Sequence, residues 1–189
     1  MDKITVGPST LLFPMPVALI GSEVDGKANF MTAAWCGIAA QTPPAITVAI
    51  RKQRHTLKGI TDHQSFSVNV PSADMVKKVD YCGIYSGSSR DKSAVFTTFK
   101  GRLTGVPLIT ECPINLECKV IHRLDLGSHT LVVGEIVETY VKKACLDADG
   151  RKVIPAKIDP LIYTAVSQVY QRLGEVVGNA FHEGRELKI

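Results

Sequence analysis

Apolar and polar positions alternate most cleanly in Leu116–Leu126. Leu116, Cys118, Val120, His122, Leu124 and Leu126 share one parity, and Glu117, Lys119, Arg123 and Asp125 share the other. A period of two puts successive side chains on opposite faces of a β-strand. Gly127-Ser128 supplies a turn, and His129–Tyr140 returns as a second long strand. Earlier in the chain, Val17–Val24 reads as a strand closed by Asp25-Gly26, a strong two-residue hairpin signal. Phe30–Ala40 follows and stops before Pro43-Pro44. Ala45–Ile50 resumes with Ile46, Val48 and Ile50 on one face, and Ser65–Val70 sets Phe66, Val68 and Val70 together.

Helical spacing is rarer. Thr56 is placed to cap a short helix ending near His63, and Ser72 to cap one through Met75, Val76, Val79 and Cys82. Gly83–Lys92 reads as a small-residue loop, and the stretch around Gly174 and Gly178 carries no assignable pattern. Strands outnumber helices, and regular strand–helix alternation is missing. The expected fold class is therefore mainly β with short helices, an antiparallel barrel in a single domain over residues 1–189.

Bulk properties narrow the function classes. With 45% apolar residues over 189 positions, the chain can bury a core without metal or disulfide staples. A formal charge of +4 is too mild for an expected nucleic-acid partner, which calls for a clustered basic stripe. No apolar run reaches the roughly 20 residues of a membrane span, and the start MDKITVGPST lacks the form of a secretory signal. The five cysteines (36, 82, 112, 118 and 145) are odd in number and contain no CxxC pair. Free thiols, a cytoplasmic location and no metal site are the expectation.

Hydrolase elbows, metalloprotease helices, phosphate-binding P-loops and GxGxxG turns do not occur. What remains is anion chemistry. The stretch Tyr85-Ser86-Gly87-Ser88-Ser89-Arg90-Asp91-Lys92 offers backbone donors, hydroxyls and two cations. The turn Arg51-Lys52-Gln53-Arg54-His55-Thr56 sits between a strand and a helix start, where donors converge on an anion. Either segment also reads as an ordinary solvated loop. Asn29-Phe30-Met31-Thr32-Ala33-Ala34-Trp35-Cys36-Gly37 holds the single tryptophan, whose usual place is the core and whose alternative is the wall of a flat heterocycle. His122 reads as a satisfied core histidine, whereas His129 follows a turn and is better placed to reach a ligand.

In this order, the segments resemble the flavin reductase-like family and, within it, the flavoredoxins. The matching residues are Asn29-x-x-Thr32-x-x-Trp35, Pro43-Pro44 leading into Ala45–Ile50, and Arg51-Lys52 through Thr56. Phe66-Ser67-Val68-Asn69-Val70, Asp80-Tyr81-Cys82-Gly83, Ser86-Gly87 with Lys92, and His129-Thr130 with Gly134-Glu135 complete the set. The resemblance implies an FMN-binding split barrel, dimeric, acting as an oxidoreductase. Electrons would pass from NADH or NADPH to free flavin or an acceptor protein; the alternative is a flavoredoxin-type carrier that needs a separate reductase.

Carried onto this chain, the resemblance assigns Asn29, Met31, Thr32, Ala33, Trp35 and Cys36 to the flavin ring and ribityl chain. Arg51, Lys52 and Thr56 would hold the phosphate, and Ser86, Gly87 and Lys92 would close that side. His129 would face the ring as the catalytic residue. Many reductases of the family read Gly-Asp-His at that turn, where this chain has Gly127-Ser128-His129.

Overall fold

The computed structural model describes residues 2–187. The strands are β1 (Met15–Pro16), β2 (Ala18–Val24), β3 (Lys27–Ala33), β4 (Cys36–Gln41), β5 (Pro44–Arg51) and β6 (Ser65–Val70). Then come β7 (Thr98–Lys100), β8 (Pro107–Ile109), β9 (Ile114–Asp125), β10 (His129–Val141), β11 (Ile162–Thr164) and β12 (Val169–Gln171). The α-helices are α1 (Thr56–His63), α2 (Val76–Ile84) and α3 (Pro155–Ile158).

Between β2 and β3, Asp25 and Gly26 take positive φ angles of 51° and 77°. That pair of left-handed residues is what a type I′ hairpin turn requires, so the Asp-Gly signal is met. The main sheet has seven strands in the order β3-β2-β6-β9-β10-β5-β4, every pairing antiparallel. Its two edge strands, β3 and β4, are consecutive in sequence and separated only by Ala34 and Trp35. A sheet whose outermost strands are joined by two residues has to curl until its edges approach. The result is a barrel split between β3 and β4; the β4–β5 ladder runs on into the two-residue link, where the Ala49 N–H donates to the Trp35 carbonyl at 2.8 Å.

Inside the curl, Ile20, Met31, Ile46, Val48, Ile50, Phe66, Val68, Cys118 and Val132 pack as one core, with Ile60 of α1 inserted among them. A second core lies outside the sheet, where Leu19 and Phe30 meet Val79 and Cys82 of α2 and Ile109 of β8. β2 is thus covered on both faces, which explains why its sequence shows no polar side.

Several details depart from the sequence expectations. Phe30–Ala40 is not one strand; the chain breaks at Ala34-Trp35 to cross the split. Thr56 is the first residue of α1 rather than its cap, because its side chain is turned inward and no side chain caps the helix. Ser72 precedes a short 3₁₀ turn, Ala73–Met75, and its hydroxyl bonds Asp74 instead of the helix backbone. Gly83 belongs to α2, not to the loop. His122 is exposed rather than a core residue, because the far end of β9 projects beyond the barrel. Among the described residues, no helix is long and apolar enough to cross a membrane.

Candidate functional site

A cleft of about 390 Å³ opens at the split. Met31, Thr32, Ala33 and Trp35 form one wall, Ala49 and Arg51 of β5 with His129 of β10 another, and Tyr163 of β11 closes an end. Trp35, which the sequence left open as core or ligand wall, is 43% exposed and stacks on His129, with ring centroids 4.8 Å apart and planes inclined by 27°. The strand register places His129 directly opposite Arg51. A 2.8 Å hydrogen bond between the Ser128 hydroxyl and His129 Nδ1 fixes the imidazole from the turn side.

A neighbouring cleft of about 420 Å³ shares Thr32, Ala34, Arg54 and Tyr163 with the first and runs on to Asp80 and Tyr170. The Tyr170 hydroxyl donates to Asp80 at 3.2 Å, and burial followed by the Asp80 charge pushes the phenol up to about 12. Thr32 donates its hydroxyl to the Val79 carbonyl of α2, which ties the cleft-lining strand β3 to the outer helix.

The cations below the clefts lack acidic partners. Arg54 donates to the Gly83 carbonyl at 2.9 Å, and Lys92 donates to the carbonyls of Cys82 (3.3 Å) and Tyr85 (2.9 Å). Both therefore gather at the carbonyl end of α2. Lys92 is only 3% exposed, and burial pushes its ammonium below the ordinary lysine value, with Arg54 adding to the effect. Burial, then the proximity of Arg51, likewise lowers Arg54. Among the described residues, none of Arg51, Arg54 and Lys92 forms an ion pair. A buried cation normally has an anion beside it, because an uncompensated charge is costly to desolvate.

The predicted site residues thus fall into connected groups. Met31, Thr32, Ala33, Trp35, Arg51 and His129 meet in the split cleft. Asn29, Gly87 and Lys92 line a separate hollow of about 450 Å³ beside His55, with Ser86 bonded to Ser88 at 2.8 Å along its rim. Asn29 in this second group is held by Thr56, whose buried hydroxyl accepts from Asn29 Nδ2 at 2.7 Å. A Cβ on Gly87 would lie 2.0 Å from Asn29 Oδ1, so a larger residue there would require the Asn29 side chain to move.

Two predicted residues stand apart from these groups. Lys52 points to the surface and pairs with Asp125 at 2.7 Å. Cys36 lies beyond Trp35 in a third groove, and burial pushes its thiol up to about 11. Among the cleft residues missing from the sequence reading, Arg54 and Tyr163 carry the polar chemistry. Arg54 was in view within the basic turn, but only the reversal bonded from Arg54 N–H to the Arg51 carbonyl (2.9 Å) shows which cations turn inward. Tyr163 had no local signal, because the pairing of β11 with β1 that delivers it joins distant parts of the chain.

Two solved structures superpose on nearly the whole molecule. A flavoredoxin from Methanosarcina acetivorans is 39% identical with a TM-score of 0.93, and 98% of each chain is covered. A flavoredoxin of Desulfovibrio vulgaris (Miyazaki F) is 38% identical with a TM-score of 0.87, covering 96% of this chain and 99% of that one. In sequence, a ferric-chelate reductase (NAD(P)H) of Archaeoglobus fulgidus is 31% identical over 138 residues, 66% of this chain and 75% of its own length. The family model described as the flavin reductase like domain matches residues 10–170, a span that holds the split sheet, both clefts and Arg51, Arg54 and Lys92. The chain belongs to the flavin reductase-like family.

Proposed function

We propose that residues 1–189 form one FMN-binding domain that passes electrons from NADH or NADPH to free flavin or to an acceptor protein. The observation that carries this reading is the cleft's polarity. One end is a shelf of Met31, Ala33, Ala34 and Trp35, and the other is ringed by Arg51 and Arg54, with Lys92 behind. That donor set suits a flat heterocycle with an anionic tail; FMN fits better than riboflavin, whose missing phosphate would leave the cations uncompensated.

Bound FMN would supply the redox chemistry, and the protein binding, orientation and electrostatics. Residues Asn29 to Trp35 would lie along the ring and ribityl chain, with Cys36 behind Trp35. Arg51, Arg54 and Lys92, with Thr56 at the uncapped start of α1 and Ser86-Gly87 nearby, compensate the phosphate. Lys52, already paired with Asp125, stands apart from this set. His129 faces the ring, its Nδ1 held by Ser128, while Trp35 excludes water. The five free cysteines suit a reducing compartment such as the cytoplasm.

The same stack supports a second reading. Trp35 lies across His129 where a nicotinamide would approach, which favours a carrier loaded by a separate reductase. Exposed Ile38 on the β4 edge and Ile121, Leu124 and Leu126 on the projecting hairpin support a homodimer, the commonest closed assembly.

The test is the absorption spectrum of purified protein, followed by bleaching with NADH and then NADPH. A yellow protein that bleaches supports the reductase, and a yellow protein that does not bleach supports the carrier. Arg51→Ala and Lys92→Ala are each expected to weaken FMN binding by roughly ten- to a hundredfold, the worth of one charge-assisted contact, and to leave riboflavin binding nearly unchanged. Colourless protein that fails to take up added FMN refutes the proposal.

A further inference from the structure

Two of the clefts at the split are lined by charged side chains, and the third is not. The third is a groove of about 440 Å³. Gly37 and Thr47 lie on one side of it, with Trp35 and the segment that leads into β1 (Leu12, Pro14 and Met15) around the rest. Thr47 alternates with the core residues Ile46 and Val48, so the groove lies on the outer face of the sheet. None of the described residues lining it is an Asp, Glu, Lys, Arg or His. The Thr47 hydroxyl donates to the Gly37 carbonyl at 3.2 Å, and burial keeps the Cys36 thiol neutral by pushing it up to about 11. Met15, Ala34 and Trp35 line both this groove and the split cleft, so a molecule in the groove shares a wall with whatever the cleft holds.

One backbone donor stands free at the rim. The Trp35 carbonyl accepts from the Ala49 N–H, so the next pair of the ladder, Cys36↔Val48, is a non-hydrogen-bonded one. The Cys36 N–H therefore points away from β5. β4 is an edge strand, with no neighbour on that side among the described residues. These features select a ligand chemistry. An ion entering the groove would shed water with no opposite charge to meet it, so a neutral molecule is favoured. The volume is that of a small-molecule site, and an indole wall suits a flat ring.

We propose that this groove seats an uncharged electron acceptor of the quinone class, with its ring against Trp35 and one carbonyl at the Cys36 N–H. The inference rests on the FMN reading given above. A quinone meets each condition: it is flat and neutral, its oxygens accept hydrogen bonds, and it is reducible. It takes the two electrons and two protons that fully reduced flavin gives up. Its two C=O groups become hydroxyls, and the flavin returns to the oxidised form. The division of labour follows charge. The cations of the split cleft compensate the phosphate of the cofactor, and the uncharged groove admits an acceptor that carries none.

Blocking the groove tests the proposal. A Cβ on Gly37 would meet nothing within 4 Å, so Gly37→Leu fills the groove without displacing a neighbour. Gly37 lines neither of the other two clefts. FMN-loaded wild type and variant are dialysed against duroquinone, whose fully methylated ring leaves no position for a thiol to add. Both are then photoreduced without air, which needs no nicotinamide, and mixed with duroquinone. Wild type is expected to bind it saturably and to show saturating reoxidation of the flavin. Gly37→Leu is expected to raise the duroquinone Kd and the half-saturating concentration by roughly tenfold or more, with the Kd for FMN unchanged. Leu12 is 81% exposed, so Leu12→Asp leaves the core intact; its carboxylate at the rim is expected to weaken duroquinone by roughly threefold. A disulfonated anthraquinone, flat but anionic, is expected to bind wild type roughly tenfold more weakly than duroquinone. The reverse order would put the quinone in the basic cleft and overturn the groove. Absence of saturable duroquinone binding, or equal binding by wild type and both variants, overturns it as well. Saturable binding without saturating reoxidation overturns the acceptor role. A protein that takes up no FMN is colourless before any quinone is added, and that outcome refutes the FMN reading and the acceptor role together.

Discussion

At one end of the β9–β10 ladder, Asn115, Glu117 and Cys118 are buried; at the other, Ile121, Leu124 and Leu126 stand in solvent. The alternating pattern of the sequence runs through both ends without a break. The difference lies in the neighbour strand. β6 pairs with β9 from Val70↔Ile114 to Ser65↔Lys119 and stops there, so the remaining residues of β9 have a strand on one side only. Alternation states which side chains share a face. Whether that face is covered depends on how far an adjacent strand extends, and that information sits elsewhere in the chain.

The largest effect is expected at the covered end. Phe66 is fully buried against Gly134 and Cys118, where β6, β9 and β10 meet inside the barrel. Phe66→Ala removes most of that ring from a core that cannot collapse around it, because three paired strands hold the walls apart. A loss of about 3–5 kcal/mol in a denaturant titration is expected. A loss below about 1 kcal/mol would mean that this end is no better packed than the projecting one.

A smaller effect belongs to the polar parity of the same end. Glu117 lies on the polar parity of β9, and the loop after β7 folds over it. The N–H groups of Arg102 (3.0 Å) and Leu103 (2.6 Å) and the Tyr140 hydroxyl (3.1 Å) all donate to its carboxylate. Burial, followed by the hydrogen-bonded Glu117, pushes the Tyr140 phenol above its ordinary value. Glu117→Ala strands two backbone donors and is expected to cost about 2 kcal/mol. Tyr140→Phe leaves both backbone bonds in place and is expected to cost about 1 kcal/mol or less. Equal losses in thermal melts would show that Glu117 acts by filling space rather than by satisfying the loop.

Much of the fold was legible where cause and effect are close in sequence. The Asp25-Gly26 turn, the strands Ser65–Val70 and Ala45–Ile50, and the long hairpin all follow from local pattern and turn chemistry. Coverage was not legible, and the misplacement of His122 has that cause. The candidate site was readable as residue types, since a flat apolar wall and clustered cations are visible in Asn29–Cys36 and Arg51–Thr56. Direction was not readable. Arg51, Lys52 and Arg54 look equivalent in sequence, yet the tight turn sends Lys52 to Asp125 and Arg54 into the cleft. Lys92 looked like a loop cation, and only the packing of α2 shows that it is buried.

The smallest effect on the fold is expected at the projecting end, and there it separates folding from assembly. Leu124 is 53% exposed and Leu126 58%, so neither can contribute much to the stability of an isolated subunit. Leu124→Ser should change the unfolding free energy of a dilute sample by no more than about 0.5 kcal/mol, the range of ordinary surface substitutions. If a second copy covers this face, the same substitution removes apolar area from an interface, and mass action makes the loss depend on concentration. The expected signature is therefore a divergence. The unfolding midpoints of wild type and Leu124→Ser coincide at low protein concentration and separate as concentration rises, with light scattering showing a weaker dimer for the variant. Phe66→Ala, by contrast, should lower the midpoint by a similar amount at every concentration. Parallel shifts for both variants would remove the distinction between a covered end and an end awaiting a partner.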